Sequence, residues 1–269
     1  MPIDNTAFVG AVPENYDRHL GPVMFDPYAK DLVARLTVPA DASVLELACG
    51  TGIVTRRLRN HLPPTAELIA TDLNEAMFQY GAEKFGPGEK VEWQQADATD
   101  LPFTDERFDA VVCQFGLMFF PAKERAAGEI YRILKPGGVF LFNVWDAIQL
   151  NDLANTAHLI ITKFFPDNPP TFYQVPFSFY DRESIRSLLT GTGFTQIQLT
   201  ELALPAVSGS ADDVAHGLLH GNPIVSAINE RNEAPVAEVE AALAAAIASQ
   251  FGSAPTRARM QAIVCSARK

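Results

Sequence analysis

The sequence is poor in cysteine and in positive charge, and it has no long hydrophobic run. Its three cysteines, Cys49, Cys113 and Cys265, are odd in number, far apart and set among apolar neighbours. That excludes a disulfide framework and a thiolate metal cluster, and it points to a reducing compartment, the cytoplasm. Lys and Arg number 21 against 32 Asp and Glu, a formal net charge of -11 with no basic run. A field of that sign repels phosphate backbones, so no nucleic-acid partner is expected. The longest nearly apolar stretch, Ala110 to Ala122, is interrupted by Gln114 and is too short to span a bilayer. Met1 to Gly10 carries Asp4 and no basic flank, which is not the pattern of a signal peptide. Nothing in the composition argues for an oligomer.

What is present is a globular composition, 48% hydrophobic and 20% charged over 269 residues. At roughly 150 residues per domain, this allows one large domain with appendages. From Ser43 onward, short β-branched runs alternate with helical segments. Strands are expected at Ser43–Ala48, Glu67–Thr71, Val91–Gln95, Phe108–Cys113 and Val139–Val144, with helices at Gly52–His61, from near Asn74 and at Lys123–Leu134. Pro136-Gly137-Gly138 stops the last of these before its strand begins. Strands separated by helices imply a parallel sheet covered on both faces. The second half breaks that rhythm. Asp181–Gly191 reads as a helix, and Phe194–Leu204 and Arg257–Ala267 read as strands. The intervening Pro205–Pro255 does not read as strand, and its later part carries Val236, Val239, Leu243, Ile247 and Phe251 at helical spacing, a stripe best assigned to core packing.

The chemistry concentrates in Glu46-Leu47-Ala48-Cys49-Gly50-Thr51-Gly52, where a strand ends, turns on glycines and gives way to a helix. Such a turn lets backbone approach a ligand and aims free N–H groups at it. A dinucleotide fingerprint needs a third glycine where Thr55 stands, and a P-loop needs Gly-Lys-Ser or Gly-Lys-Thr, which is absent. Glu46 beside the turn suits a cationic group better than a pyrophosphate. Asp72 lies about 20 residues further on, where a carboxylate takes ribose hydroxyls, and Asp97 ends the third strand. Each carboxylate alone serves as a helix cap just as well. Three at three strand ends, in register with the turn, describe a site for an adenosine with a cationic appendage, namely S-adenosylmethionine.

The chain resembles the class I S-adenosylmethionine-dependent methyltransferases, near the ubiquinone and menaquinone biosynthesis branch. The resemblance rests on Glu46–Gly52, Asp72-Leu73-Asn74, Gln95–Phe103, Phe108-Asp109 and Leu134–Gly138. It implies an α/β, Rossmann-like, seven-stranded, mostly parallel sheet whose last strand is antiparallel, and S-adenosylhomocysteine as product. It further implies that Glu46 orients the methionine amino group and that Gly50 and Gly52 bring backbone against the methionine tail. Asp72 would clamp the ribose, Leu73 and Met77 flank the adenine, Asp97 accept from its amine, the Ala98 N–H read a ring nitrogen, and Gln114 supply a carbonyl near the methionine. Ala48 stands where the commoner family pattern has glycine, which alanine tolerates at negative φ.

Methyl transfer from a sulfonium needs alignment and exclusion of water more than a nucleophilic side chain. Cys49, Cys113 and Cys265 are therefore packing residues. A base is required only for a protonated acceptor, and the candidates are His158, His216 and His220. His216 and His220 are four apart, but no carboxylate pattern completes a metal site, and none is expected. Aromatics from Phe164 to Tyr180 build either a small satellite core or an apolar wall for substrate. Tyr16, Phe25, Tyr173 and Phe177 are the substrate or lid candidates. The expected layout is one unit, with an N-terminal lid over 1–36, a cofactor core over 37–146, and cap insertions at 147–180 and 205–255. The acceptor expected is a small apolar or aromatic molecule. The alternatives are a transferase using modified S-adenosylmethionine, and a binding module that serves a partner enzyme without turnover.

Overall fold

The computed structural model describes Phe8 and residues 10–269; the rest of the expected N-terminal lid lies outside the described residues. β1 (Ser43–Leu47), β2 (Glu67–Asp72), β3 (Glu92–Gln95), β4 (Phe108–Gln114) and β5 (Leu134–Trp145) pair in parallel. β7 (Thr256–Arg268) runs antiparallel between β5 and β6 (Thr195–Ser208), so the order is β3-β2-β1-β4-β5-β7-β6 and only the last strand opposes the others.

Alternation along β1 assigns the two faces. Val44 joins a layer with α2 (Asp26–Ala34) and α3 (Ile53–His61), through Leu32, Val33, Val54 and Leu58. Leu45 and Leu47 face the larger core, which takes in α5 (Lys123–Ile133), α6 (Asp152–Phe164), α7 (Arg182–Thr192) and α8 (Ala211–His220). Upstream of α2, the short α1 (Val12–Asn15) continues into a π-helical stretch, Tyr16–Phe25. α4 (Glu75–Ala82) follows β2, with Asn74 as its N-cap accepting from the Met77 N–H. α9 (Ile224–Arg231) and α10 (Val236–Phe251) complete the insertion before β7. Val239, Leu243 and Ile247 of the apolar stripe are buried, as core packing requires. No helix among the described residues is long and apolar enough to cross a membrane.

Two boundaries differ from the sequence pattern. β5 starts at Leu134, directly after α5, and the residues between Leu134 and Val139 bulge out between the partners Phe108 and Ala110. Pro136 has no N–H for a ladder, and Gly137 takes φ +78°, so the chain detours and then resumes pairing. β6 likewise runs past Leu204, with Pro205 opposite Arg259 and Ser208 opposite Thr256. Proline is tolerated there because β6 is the outermost strand, and the insertion therefore begins at residue 209.

Candidate active site

The turn after β1 is tighter than expected. Ala48 adopts φ +52°, not a negative value, followed by Gly50 at +54° and Gly52 at +78°. The left-handed step turns the chain so that the Cys49 N–H reaches the Thr71 carbonyl at 2.9 Å and the Gly50 N–H reaches Asp72 Oδ2 at 2.8 Å. It costs about 1–2 kcal/mol for a residue with a Cβ. That Cβ is accommodated because residue 116 is glycine; a Cβ on Gly116 would stand 2.5 Å from it. Gly52 caps α3, with Trp93 3.0 Å from where its Cβ would be.

Glu46 lies under this turn at 1% exposure, and its Oε2 has no hydrogen-bond partner among the described residues. Burial pushes its carboxyl up to about 8, with Thr55 offsetting part of the rise and the Asp72 charge adding to it. Asp72 at the end of β2 accepts from the Gly50 N–H and, through Oδ1, from the Asn74 N–H at 2.8 Å. It thus ties the first two strand ends together before any ligand arrives. Next to it, Leu73 is 58% exposed while Met77 is buried, with its methyl 3.6 Å from where a Cβ of Gly50 would be. Asp97 is exposed and accepts from the Thr99 N–H and hydroxyl, both at 2.8 Å, beside the buried Ala98. The Gln114 side chain is already engaged, donating to the Phe25 carbonyl at 3.2 Å and accepting from Asn143 at 3.3 Å.

A second compartment, a partly open cavity of about 70 Å³, lies beside this edge of the sheet. Tyr16, Phe25, Tyr173 and Phe177 all line it, so the N-terminal segment and the aromatic loop meet there, together with Leu218 and Asn222 beyond β6. The pattern of the sequence did not single out its floor, where the rings of Phe115 and Trp145 stack at 3.8 Å and 6°. Phe115 follows β4 at φ +49°, and its N–H donates to Asn143 Oδ1 at 3.0 Å. Trp145 ends β5, a strand-end position that was the available signal. Among the described residues, none that lines it is charged. The phenol of Tyr16 is pushed upward by burial and by the negative charges of Asp72 and Asp17. Asp17 in turn accepts from the Thr51 hydroxyl at 2.7 Å and from Lys84 at 2.6 Å, which fastens the N-terminal segment over the glycine turn.

The three histidines do not join this site. His158, His216 and His220 are absent from the pocket lining. His216 and His220 instead point to Glu240 of α10, at 2.9 and 3.0 Å. The carboxylate missing from the local sequence pattern is therefore supplied from 24 and 20 residues away. The cysteines are buried and free, and burial pushes the Cys113 thiol up to about 12, far from a reactive thiolate.

Residues 44–138 match the family described as a methyltransferase domain. A 107-residue stretch is 39% identical to the ubiquinone/menaquinone biosynthesis C-methyltransferase UbiE of Hahella chejuensis, covering 39% of this chain and 43% of that enzyme. Over residues 44–138 the chain is thus similar to S-adenosylmethionine-dependent methyltransferases of class I. The similarity spans less than half the length of that relative. The demethylmenaquinone methyltransferase of Staphylococcus carnosus is 29% identical over 201 residues, covering 70% of this chain and 83% of that one. Among solved structures, a Haemonchus contortus phosphoethanolamine N-methyltransferase with S-adenosylhomocysteine superposes with a TM-score of 0.63 at 14% identity, covering 99% of this chain and 59% of that one. At that identity it speaks for the methyltransferase fold alone. The cofactor of the domain is S-adenosylmethionine, and the residues present fit it. The unpartnered Oε2 of Glu46 is a buried acceptor suited to an ammonium, and exposed Leu73 offers an apolar face to a flat ring.

Proposed function

We propose that this chain transfers the methyl group of S-adenosylmethionine to a small, neutral, electron-rich aromatic acceptor held against Phe115 and Trp145. The observation that carries the reading is the position of Tyr16, which lines the aromatic pocket while lying in the field of Asp72. One residue thus borders both the cofactor edge and the pocket. Glu46 takes the ammonium of the methionine moiety, Asp72 the ribose hydroxyls, and Leu73 and Met77 the faces of the adenine. Asp97 and the Ala98 N–H read the edge of the base, and Gly50 and Gly52 keep the backbone close to the tail. The bound sulfonium supplies an electrophilic methyl. What the chain adds is alignment and exclusion of water by apolar walls.

The described lining residues carry no charge to replace an ion's hydration, which disfavours an ionic acceptor. Nor is a strong base poised there. Burial pushes the Tyr16 and Tyr173 phenols upward, and the Tyr173 hydroxyl donates to the Leu218 carbonyl at 2.7 Å. A nucleophile that reacts without prior deprotonation, such as a ring carbon activated by its own substituents, suits this wall best. The Hahella chejuensis relative is named as a C-methyltransferase of ubiquinone/menaquinone biosynthesis, which accords with that chemistry.

S-Adenosylhomocysteine at about 100 times its dissociation constant adds about 2.7 kcal/mol of stability, a melting shift of about 5–10 °C for a chain of this size, while NAD gives none. Methyl transfer is then sought across a panel of neutral aromatics. A shift with NAD and none with S-adenosylhomocysteine overturns the cofactor assignment; binding without transfer to any acceptor leaves a non-catalytic module. Asp72→Ala weakens cofactor binding about 10- to 100-fold by removing charge-assisted hydrogen bonds. Calorimetry on the folded variant checks this, and unchanged affinity removes Asp72 from the site.

A further inference from the structure

We propose that His216, His220 and Glu240 form a binding site for a divalent transition-metal ion, zinc foremost, that staples α8 to α10. The two histidines are one helical turn apart on α8, and their rings stack at 4.4 Å and 24°. Glu240, from the second turn of α10, presents one carboxylate oxygen to each ring, Oε1 to His216 Nδ1 at 2.9 Å and Oε2 to His220 Nε2 at 3.0 Å. All three donor atoms lie within 4.8 Å of one another. A tetrahedral zinc ion with bonds of about 2.0–2.2 Å holds its donors roughly 3.3–3.5 Å apart. The two histidine–carboxylate spacings of 2.9 and 3.0 Å fall a few tenths of an ångström short of that value, so small rotations of three half-buried side chains admit the ion.

The donor set selects the metal. Two imidazoles and one carboxylate suit zinc, nickel or copper, whereas calcium and magnesium need more oxygens than the site offers. His19, from the π-helical stretch, packs edge-on against His216 at 5.0 Å, and its Nδ1 lies 3.9 Å from Asp213. The N-terminal segment thus borders the site as well. The ion would not take part in methyl transfer. At about 100° per residue, Leu218 lies on the face of α8 roughly opposite to His216 and His220, and Leu218 lines the aromatic pocket. Metal on the outer face of the helix therefore holds the pocket wall on its inner face.

The test uses the full chain without an affinity tag, dialysed against chelator and then titrated with zinc chloride. The expected result is one zinc per chain with a dissociation constant of about 1 μM or tighter, and a melting temperature raised by several degrees at saturation. Cobalt(II) gives visible d–d bands of a nitrogen- and oxygen-ligated ion. Glu240→Gln keeps the shape of the side chain and weakens zinc binding at least tenfold, and the double variant His216→Ala/His220→Ala abolishes it. Zinc that does not bind in a 1:1 ratio overturns the proposal. Equal binding by Glu240→Gln and the double variant overturns it too, because the ion then sits elsewhere.

Discussion

Replacing Glu46 with Gln stabilises the free protein at alkaline pH while weakening its hold on S-adenosylhomocysteine about 10- to 100-fold. Both effects come from one buried carboxyl whose ordinary value of 4.5 is pushed up to about 8. Because the folded form holds this proton more tightly than the unfolded chain, the contribution of this one carboxyl to stability is largest below about 4.5 and declines as pH rises toward about 8. Above that, a charge is buried with one oxygen unpaired. Gln cannot ionise, so the variant escapes the decline, an advantage on the order of 5 kcal/mol that is fully developed above pH 8 and absent in acid. The ligand's ammonium restores the charged form, and binding therefore releases a proton below about pH 8. Affinity falls by up to about tenfold per unit as the pH drops below that value. Calorimetry in two buffers of different ionisation enthalpy counts the proton. No proton release, together with unaltered affinity in the variant, would remove Glu46 from the cofactor site.

Ala154→Phe is expected to reduce methyl transfer at least about 100-fold while leaving S-adenosylhomocysteine affinity within about twofold. Ala154 is buried on α6 and lines the aromatic pocket, whose described lining includes none of Glu46, Gly50, Asp72 or Asp97. A ring there occupies the space assigned to the acceptor. The accompanying overpacking costs about 1–3 kcal/mol, a loss visible as a lowered melting temperature in an otherwise folded protein. Weaker cofactor binding with transfer intact would assign the pocket to the other ligand.

The legible part of the fold is the part written in local pattern. β1, the glycine turn and α3 announce themselves within Ser43–His61, because a buried strand, glycines at positive φ and an amphipathic helix each leave a mark on neighbouring residues. The carboxylates at strand ends were visible for the same reason. Ala48 was not, since its backbone is set by hydrogen bonds to a different strand and by the room Gly116 leaves. Glu240 was hidden by distance along the chain, since only the packing of α10 on α8 brings it to the histidines. The Phe115–Trp145 stack joins the ends of two strands, a coincidence that no single window of sequence contains. Conversely, Pro205 reads locally as a strand breaker, and only its place on the outermost strand reconciles it with pairing.

The rims of the sheet bear on how the protein behaves when concentrated. On one side the rim is β3, four residues long, with Glu92 and Gln95 exposed to solvent. On the other it is β6, whose run of main-chain donors is interrupted by Pro205 and flanked by exposed Glu201. A short rim and a charged, proline-broken one are both poor templates for a further strand. With a net charge of -11 adding mutual repulsion, edge-to-edge polymerisation is disfavoured, and the protein is expected to resist fibril formation even while an aromatic pocket stands open on its surface.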